Sequence, residues 1–164
     1  MTKKLIILRG NSGSGKSTVA KKLRLKMGHG TMLIPQDTVR REIIRTPDVV
    51  NNPSIELISM LGLYGKKIGY DVIIEGIFNK AQYGDMLSQL IEKFDGETHV
   101  YYFDISFEET LERHQLKANS MEFGEKEMRG WWVEKDYLGT KGEKHITEAM
   151  TEDETIDFIY RDIS

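Results

Sequence analysis

The sequence predicts an α/β fold in which a parallel sheet carries helices on both faces. Three observations predict it. A glycine-rich stretch sits between an apolar run and a segment of helical period. Short apolar, β-branched runs alternate with helix-period segments along the chain. Polar residues recur where three of those runs end. Strands alternating with helices give parallel strands joined by crossover helices, and in such sheets ligands bind at the carboxyl ends of the strands.

The first strand is expected over Lys3–Leu8, because Leu5-Ile6-Ile7-Leu8 is a continuous apolar run suited to burial on both faces. Gly10-Asn11-Ser12-Gly13-Ser14-Gly15-Lys16-Ser17-Thr18 follows and fits the phosphate-binding pattern G-x-x-x-x-G-K-[ST]. Val19, Leu23 and Met27 recur every four residues, giving a helix over Lys16–Met27 that Gly28-His29-Gly30 ends. Glycines let the loop backbone turn its N–H groups toward an anion. The helix that starts at Lys16 points its positive dipole end at the same place. Lys16 can reach the outer phosphates, and the Ser17 hydroxyl can ligate Mg²⁺.

Met32–Pro35 is the second strand, with Gln36-Asp37 just past its end, and a helix is expected over Thr38–Arg45 before Pro47. The set Leu57, Ile58, Leu61, Tyr64 and Ile68 has helical spacing over Ser54–Ile68. Asp71–Gly76 is a strand, with three β-branched residues and then Glu75 at its end. Asn79 and Gln82 suggest a capping box for a helix whose inner face is Tyr83, Met86, Leu87, Leu90, Ile91 and Phe94. Thr98–Phe103 reads as a strand, and Ser106 with Glu109 suggests a second capping box for the helix carrying Phe107, Leu111 and His114. The charged stretch Lys117–Gly142 has no strand signal; helix is expected over Glu125–Lys135. Lys144-His145-Ile146 is a short last strand, and Thr151 with Glu154 opens a final helix.

Composition excludes several classes. At 164 residues the chain suits one domain, 1–164, with residues 117–142 as a lid within it. No apolar run reaches the length of a membrane span or of a signal peptide, so a cytoplasmic protein without membrane contact is expected. With no cysteine, disulfides and thiolate metal sites are excluded. No two of the four histidines lie at i, i+3 or i+4, so no zinc site is suggested. The net charge of −3 argues against nucleic acid as the main partner; a small-molecule substrate and a monomer or homodimer are expected.

Asp37 and Arg40 are three apart, so both can face one way at a helix start. Asp37 can take the proton of a hydroxyl attacking a γ-phosphate, and Arg40 can bind an anionic part of the substrate; the alternative is a helix cap and a surface arginine. Glu75 can contact Mg²⁺ or its waters, touch substrate, or serve the structure alone. The charged stretch carries Arg113, Lys117, Lys126 and Arg129; of these Arg113 and Arg129 are the candidates to stabilise the charge of a transferring phosphoryl group, against the alternative of a solvated charged helix. Trp131, Trp132 and Tyr137 are expected to pack the lid down, with stacking on a base as the alternative.

These residues resemble the small P-loop kinases of the nucleoside monophosphate kinase superfamily, over nearly the whole chain. The resemblance rests on Gly10–Thr18, Asp37-Thr38-Val39-Arg40, Val72–Gly76 and the stretch from Phe103-Asp104-Ile105-Ser106 to Arg113. The Asp-x-x-Arg after strand 2 is similar to that of phage-type polynucleotide kinases, chloramphenicol phosphotransferases and zeta-toxin-like kinases, in which the aspartate is taken as general base. The resemblance implies five parallel strands in the order 2-3-1-4-5, ATP as donor with Mg²⁺, and a lid arginine near the phosphates. Glu75 departs from the aspartate usual there. The leading expectation is transfer of a γ-phosphate to a hydroxyl of a small molecule. The alternatives are a nucleoside or nucleotide kinase using Arg40, Arg41 and Arg45, a 5′-hydroxyl polynucleotide kinase, and a nucleotide-binding switch. Against the switch, Asn79-Lys80-Ala81-Gln82 lacks the aspartate of a guanine-reading motif.

Overall fold

Strands β1 (Leu5–Gly10), β2 (Thr31–Pro35), β3 (Asp71–Gly76), β4 (Thr98–Asp104) and β5 (Lys144–Thr147) form one sheet in the order β2-β3-β1-β4-β5. Every pairing is parallel. The structure, a computed structural model, describes residues 2–117 and 120–164. The helices are α1 (Lys16–Met27), α2 (Ser54–Lys67), α3 (Lys80–Lys93), α4 (Phe107–Gln115), α5 (Glu125–Trp131) and α6 (Glu152–Ile163).

Alternation along the strands divides the core into two layers. Leu5, Ile7, Val72 and Ile74 pack with Ile58 of α2 and Tyr83, Leu87 and Leu90 of α3. Ile6, Leu8 and Ile73 pack with Val19 and Leu23 of α1 and Ile156 and Ile159 of α6. Each such side chain contributes roughly 1.5–3 kcal/mol when taken out of water. Because the strands are parallel, Gly10, Pro35, Gly76, Asp104 and Thr147 all end at one edge of the sheet, where the functional candidates gather. Among the described residues no helix is long and apolar enough to cross a membrane.

The expected elements are present, with local differences. Thr38–Ile44 is a π-helix, not an ordinary α-helix; Arg45, at φ 56°, ends it. Helix α5 stops at Trp131 instead of continuing toward Lys135, because Trp132 turns extended and the backbone of Val133 bonds to Asn11. The box at Asn79 is half formed: Asn79 accepts from the Gln82 backbone N–H, while Gln82 Oε1 is buried without a partner. At Ser106 the hydroxyl accepts from the Glu109 N–H, but the Glu109 carboxylate turns to Arg113. Only Thr151–Glu154 of the three closes both ways. The segment expected as a lid includes residues 118 and 119, which lie outside the described residues.

Candidate functional site

The strand register sets the site. Glu75 is level with Leu8 of β1 and Pro35 of β2, so the residues just beyond these three converge. They are the glycine loop, Gln36-Asp37 and Gly76. Gly76 has to be glycine because a Cβ there would overlap the Gln36 side chain. Gln36, itself buried, accepts from the Phe78 N–H at 2.9 Å and so fixes the exit of β3.

The loop turns through left-handed glycines, Gly13 at φ 80° and Gly15 at φ 95°. A Cβ on Gly13 would come 2.6 Å from the Thr110 carbonyl oxygen, so α4 lies directly on the loop. Lys16 is 6% exposed and donates to the Asn11 carbonyl at 2.9 Å. Burial lowers its pKa to about 8, against the raising influence of Glu75 and Asp37. The Ser17 hydroxyl donates to Glu75 Oε1 at 3.1 Å. Burial pushes the Glu75 carboxyl up from its ordinary value, while Lys16 and Ser17 pull it down. One hydroxyl and one carboxylate beside a phosphate loop is a donor set that fits Mg²⁺, which keeps several waters and takes few protein ligands.

A cavity of about 600 Å³ opens on one side of the loop. Its wall includes Lys16, Ser17 and Glu75 at the loop end, Asp37, Arg40 and Arg41 on one flank, and Asn79 and Gln82 of the α3 start. Asp37 is 69% exposed, with Oδ1 3.9 Å from Arg40 Nη2 and 4.0 Å from Arg41 Nε. The π-helix turn brings both consecutive arginines to the same wall; Arg45 is not part of it. A second cavity, about 420 Å³, lies on the other side, between Gly15, Thr18, Arg113 and the turn from β5 into α6.

Lys117 lines both cavities. Burial lowers its pKa, Glu75 raises it, and the nearby Arg113 lowers it further. Arg113 donates through Nη1 to the Ser14 carbonyl at 2.8 Å and through Nε to Glu109 at 3.0 Å. Arg129 lies elsewhere. It donates to Glu125 at 2.7 Å, its guanidinium carbon is 4.2 Å from the Phe107 ring centroid, and it lines neither cavity. Trp131 lines the larger cavity and packs edge-on against Phe123, whereas Trp132 packs against Phe107 and Tyr137 stacks on His145. His114 is buried on α4, stacked on Phe123.

Sequence reasoning gave no role to the side chains of Arg9, Asn11 and Gln36, and named Lys117 only as one of four cations in the charged stretch. Arg9 is fully buried and donates to the Phe78 carbonyl at 2.8 Å and to Asp136 at 3.0 Å. The Asn11 side chain bonds both to the N–H and to the carbonyl of Val133. The available signal for Lys117 was its position four residues after Arg113, one helical turn along.

The family described as AAA domain matches residues 5–130. No curated protein matches the sequence at a significant level. Among solved structures, the Mycobacterium tuberculosis APS kinase CysC in complex with AMPPNP and APS is similar with a TM-score of 0.71 at 18% identity, over 99% of this chain and 97% of that one. A gluconokinase from Sinorhizobium meliloti 1021 gives 0.68 at 17% identity, over 99% and 90%. A chain of the Pnkp1/Rnl/Hen1 RNA repair complex gives 0.56 at 19% identity, over 78% of this chain and 42% of that one. At these identities the likeness establishes a shared fold.

Proposed function

The chain belongs to the AAA domain family, and from that premise we propose that it is an ATP- and Mg²⁺-dependent phosphotransferase that moves a γ-phosphoryl group to a hydroxyl of a small polar molecule. The observation that carries the reading is that two cavities flank one phosphate loop and meet at Lys117. The nucleotide takes the smaller cavity and lays its phosphates along the loop. The acceptor takes the larger one, facing Asp37.

Each residue then has a task. Loop N–H groups and Lys16 hold the phosphates. Ser17 and Glu75 would hold Mg²⁺, which when bound offsets the negative charge of the phosphate oxygens. Asp37 accepts the proton of the acceptor hydroxyl. The acceptor oxygen bonds to the γ-phosphorus as the bond to the β–γ bridging oxygen breaks, and that electron pair leaves on ADP. Lys117 and Arg113 face the charge that spreads over the transferring group. Arg129 joins only by leaving Glu125 and Phe107. Arg40 and Arg41 favour an acceptor that also carries a carboxylate or phosphate, so a sugar acid, a sugar phosphate or a nucleoside monophosphate fits better than a neutral antibiotic. The region from Lys117 to Gly142 serves as the lid of a single catalytic domain. The switch reading is weakened because Asn79 and Gln82 border the acceptor cavity, away from the nucleotide's cavity.

A screen of ATP consumption over sugars, sugar acids, nucleosides, nucleotides and antibiotics tests the proposal, with Asp37→Asn as blank. One acceptor class is expected to release ADP above the blank. Equal ADP release by both proteins for every acceptor would overturn it.

A further inference from the structure

Asn11 occupies a variable place in the phosphate-loop pattern, yet all of its polar groups except its own N–H are engaged. Its carbonyl accepts from Lys16 Nζ at 2.9 Å. Its side-chain Nδ2 donates to the Val133 carbonyl at 2.8 Å, and its Oδ1 accepts from the Val133 N–H at 2.9 Å. The side chain therefore reads the Val133 backbone as a strand partner would, across 122 residues of sequence. The residue is 6% exposed, where losing such bonds is costly. Val133 immediately follows α5 and Trp132, and Met128 of α5 packs against Gly13 of the same loop. Two residues before Asn11, Arg9 grips Asp136, three residues beyond Val133.

We propose that Asn11 is a positioning residue that ties the root of α5 to the phosphate loop, so that nucleotide binding at Lys16 sets the position of α5 over the site. The inference rests on the nucleotide-binding half of the function above, and its emission readout needs no acceptor. Its consequence is water exclusion. With the tie intact, α5 and the residues after it cover the γ-phosphate, and the acceptor hydroxyl is the nucleophile. With the tie cut, water reaches the phosphorus, bonds to it as the β–γ bridge breaks, and ADP and inorganic phosphate are released without transfer.

The chain carries its own reporter, because its two tryptophans, Trp131 and Trp132, sit at this root. In the wild type, a non-hydrolysable ATP analogue should change tryptophan emission with the same midpoint as binding followed by a fluorescent-nucleotide competition assay. In Asn11→Ala, binding should remain within about fivefold, the emission change should be lost, and the ratio of hydrolysis to transfer should rise at least tenfold. Val133→Pro, which removes the N–H from the other side, should reproduce both effects. Val133→Ala keeps the backbone groups and should retain the emission response. Thermal melts of each variant show whether it is folded; if Asn11→Ala does not fold, the two Val133 variants decide. An emission change that survives in folded Asn11→Ala or Val133→Pro overturns the proposal. A wild-type emission response with no acceptor found would instead count against the phosphotransferase reading alone.

Discussion

The Ser17 hydroxyl donates to Glu75 Oε1 at 3.1 Å, joining the end of the phosphate loop to the end of β3. The register that aligns Glu75 with Leu8 makes this meeting a property of the sheet. Under the proposed function it favours a metal role for Glu75 over an acceptor role, since Ser17 stands where the phosphate-loop pattern places a hydroxyl that can take Mg²⁺. Glu75→Gln should then raise the Mg²⁺ concentration needed for half-maximal activity by about tenfold or more, as loss of a carboxylate ligand does. The KM for the acceptor should stay within twofold. A Mg²⁺ titration at fixed ATP checks this; a shift in acceptor KM with an unchanged Mg²⁺ requirement would assign Glu75 to the substrate.

Lys117 and Arg129 offer a contrast between two cations of one region. Lys117 borders both cavities, while Arg129 is engaged by Glu125 and Phe107. Lys117→Met should lower kcat by about 100-fold, the cost of removing one group aimed at developing charge. In Arg129→Met kcat should fall by less than about threefold, because Arg129 borders neither cavity and is held by Glu125 and Phe107. Steady-state kinetics on both variants decide; the reverse order would mean that α5 moves Arg129 into the site.

Lys16 carries a pH signature. Its pKa, ordinarily 10.5, is lowered to about 8 by burial. Below pH 8 both the folded and unfolded chains hold the proton, and the folded free protein bears the full cost of a buried ammonium. Between about pH 8 and 10.5 the unfolded chain binds the proton that the folded chain has released, so this group makes stability rise with pH in that window. Nucleotide affinity moves the opposite way, because phosphate needs the ammonium. It should fall by up to about tenfold per pH unit above pH 8. Binding titrations at pH 7 and pH 9.5 test this, with Lys16→Met weak and pH-independent; equal wild-type affinity at both values would contradict it.

Arg9 serves stability. Its Nε and Nη2 donate to the Phe78 carbonyl, and Nη1 and Nη2 donate to Asp136, all at a fully buried position. Arg9→Met keeps an apolar stem but strands these acceptors. The expected loss is about 3 kcal/mol, or about 6–12 °C in Tm for a chain of this size. Differential scanning calorimetry checks it, and a shift under 2 °C would refute the clamp.

The sequence pattern revealed most where structure is local. The phosphate loop, α1 and β3 stand where their motifs and apolar periods place them, because strand, turn and helix signals agree there. It failed where distant residues decide. The backbone of Val133 ends α5 by bonding to Asn11, so a helical pattern continuing to Lys135 is overridden from the other end of the chain. The π-helix winding of Thr38–Ile44 leaves no periodic trace in seven residues, yet it is what turns Arg40 and Arg41 to one wall. Arg9 reads as an ordinary cation next to the loop; only the fold shows Asp136 and Phe78 around it. The Asp37 candidate was legible because its strand end was, whereas the place of Lys117 on both cavities depended on how α4 packs against the loop.

The role proposed for Asp37 is to activate an acceptor hydroxyl beside a loop that binds ATP. Its most direct measurement compares phosphoryl transfer and ATP binding in the wild type and Asp37→Asn, using the acceptor that releases most ADP. Loss of a general base predicts a fall in kcat of about 10²–10⁴-fold, with calorimetric ATP affinity within about threefold of wild type. Transfer within tenfold of wild type, at unchanged ATP affinity, would contradict the account.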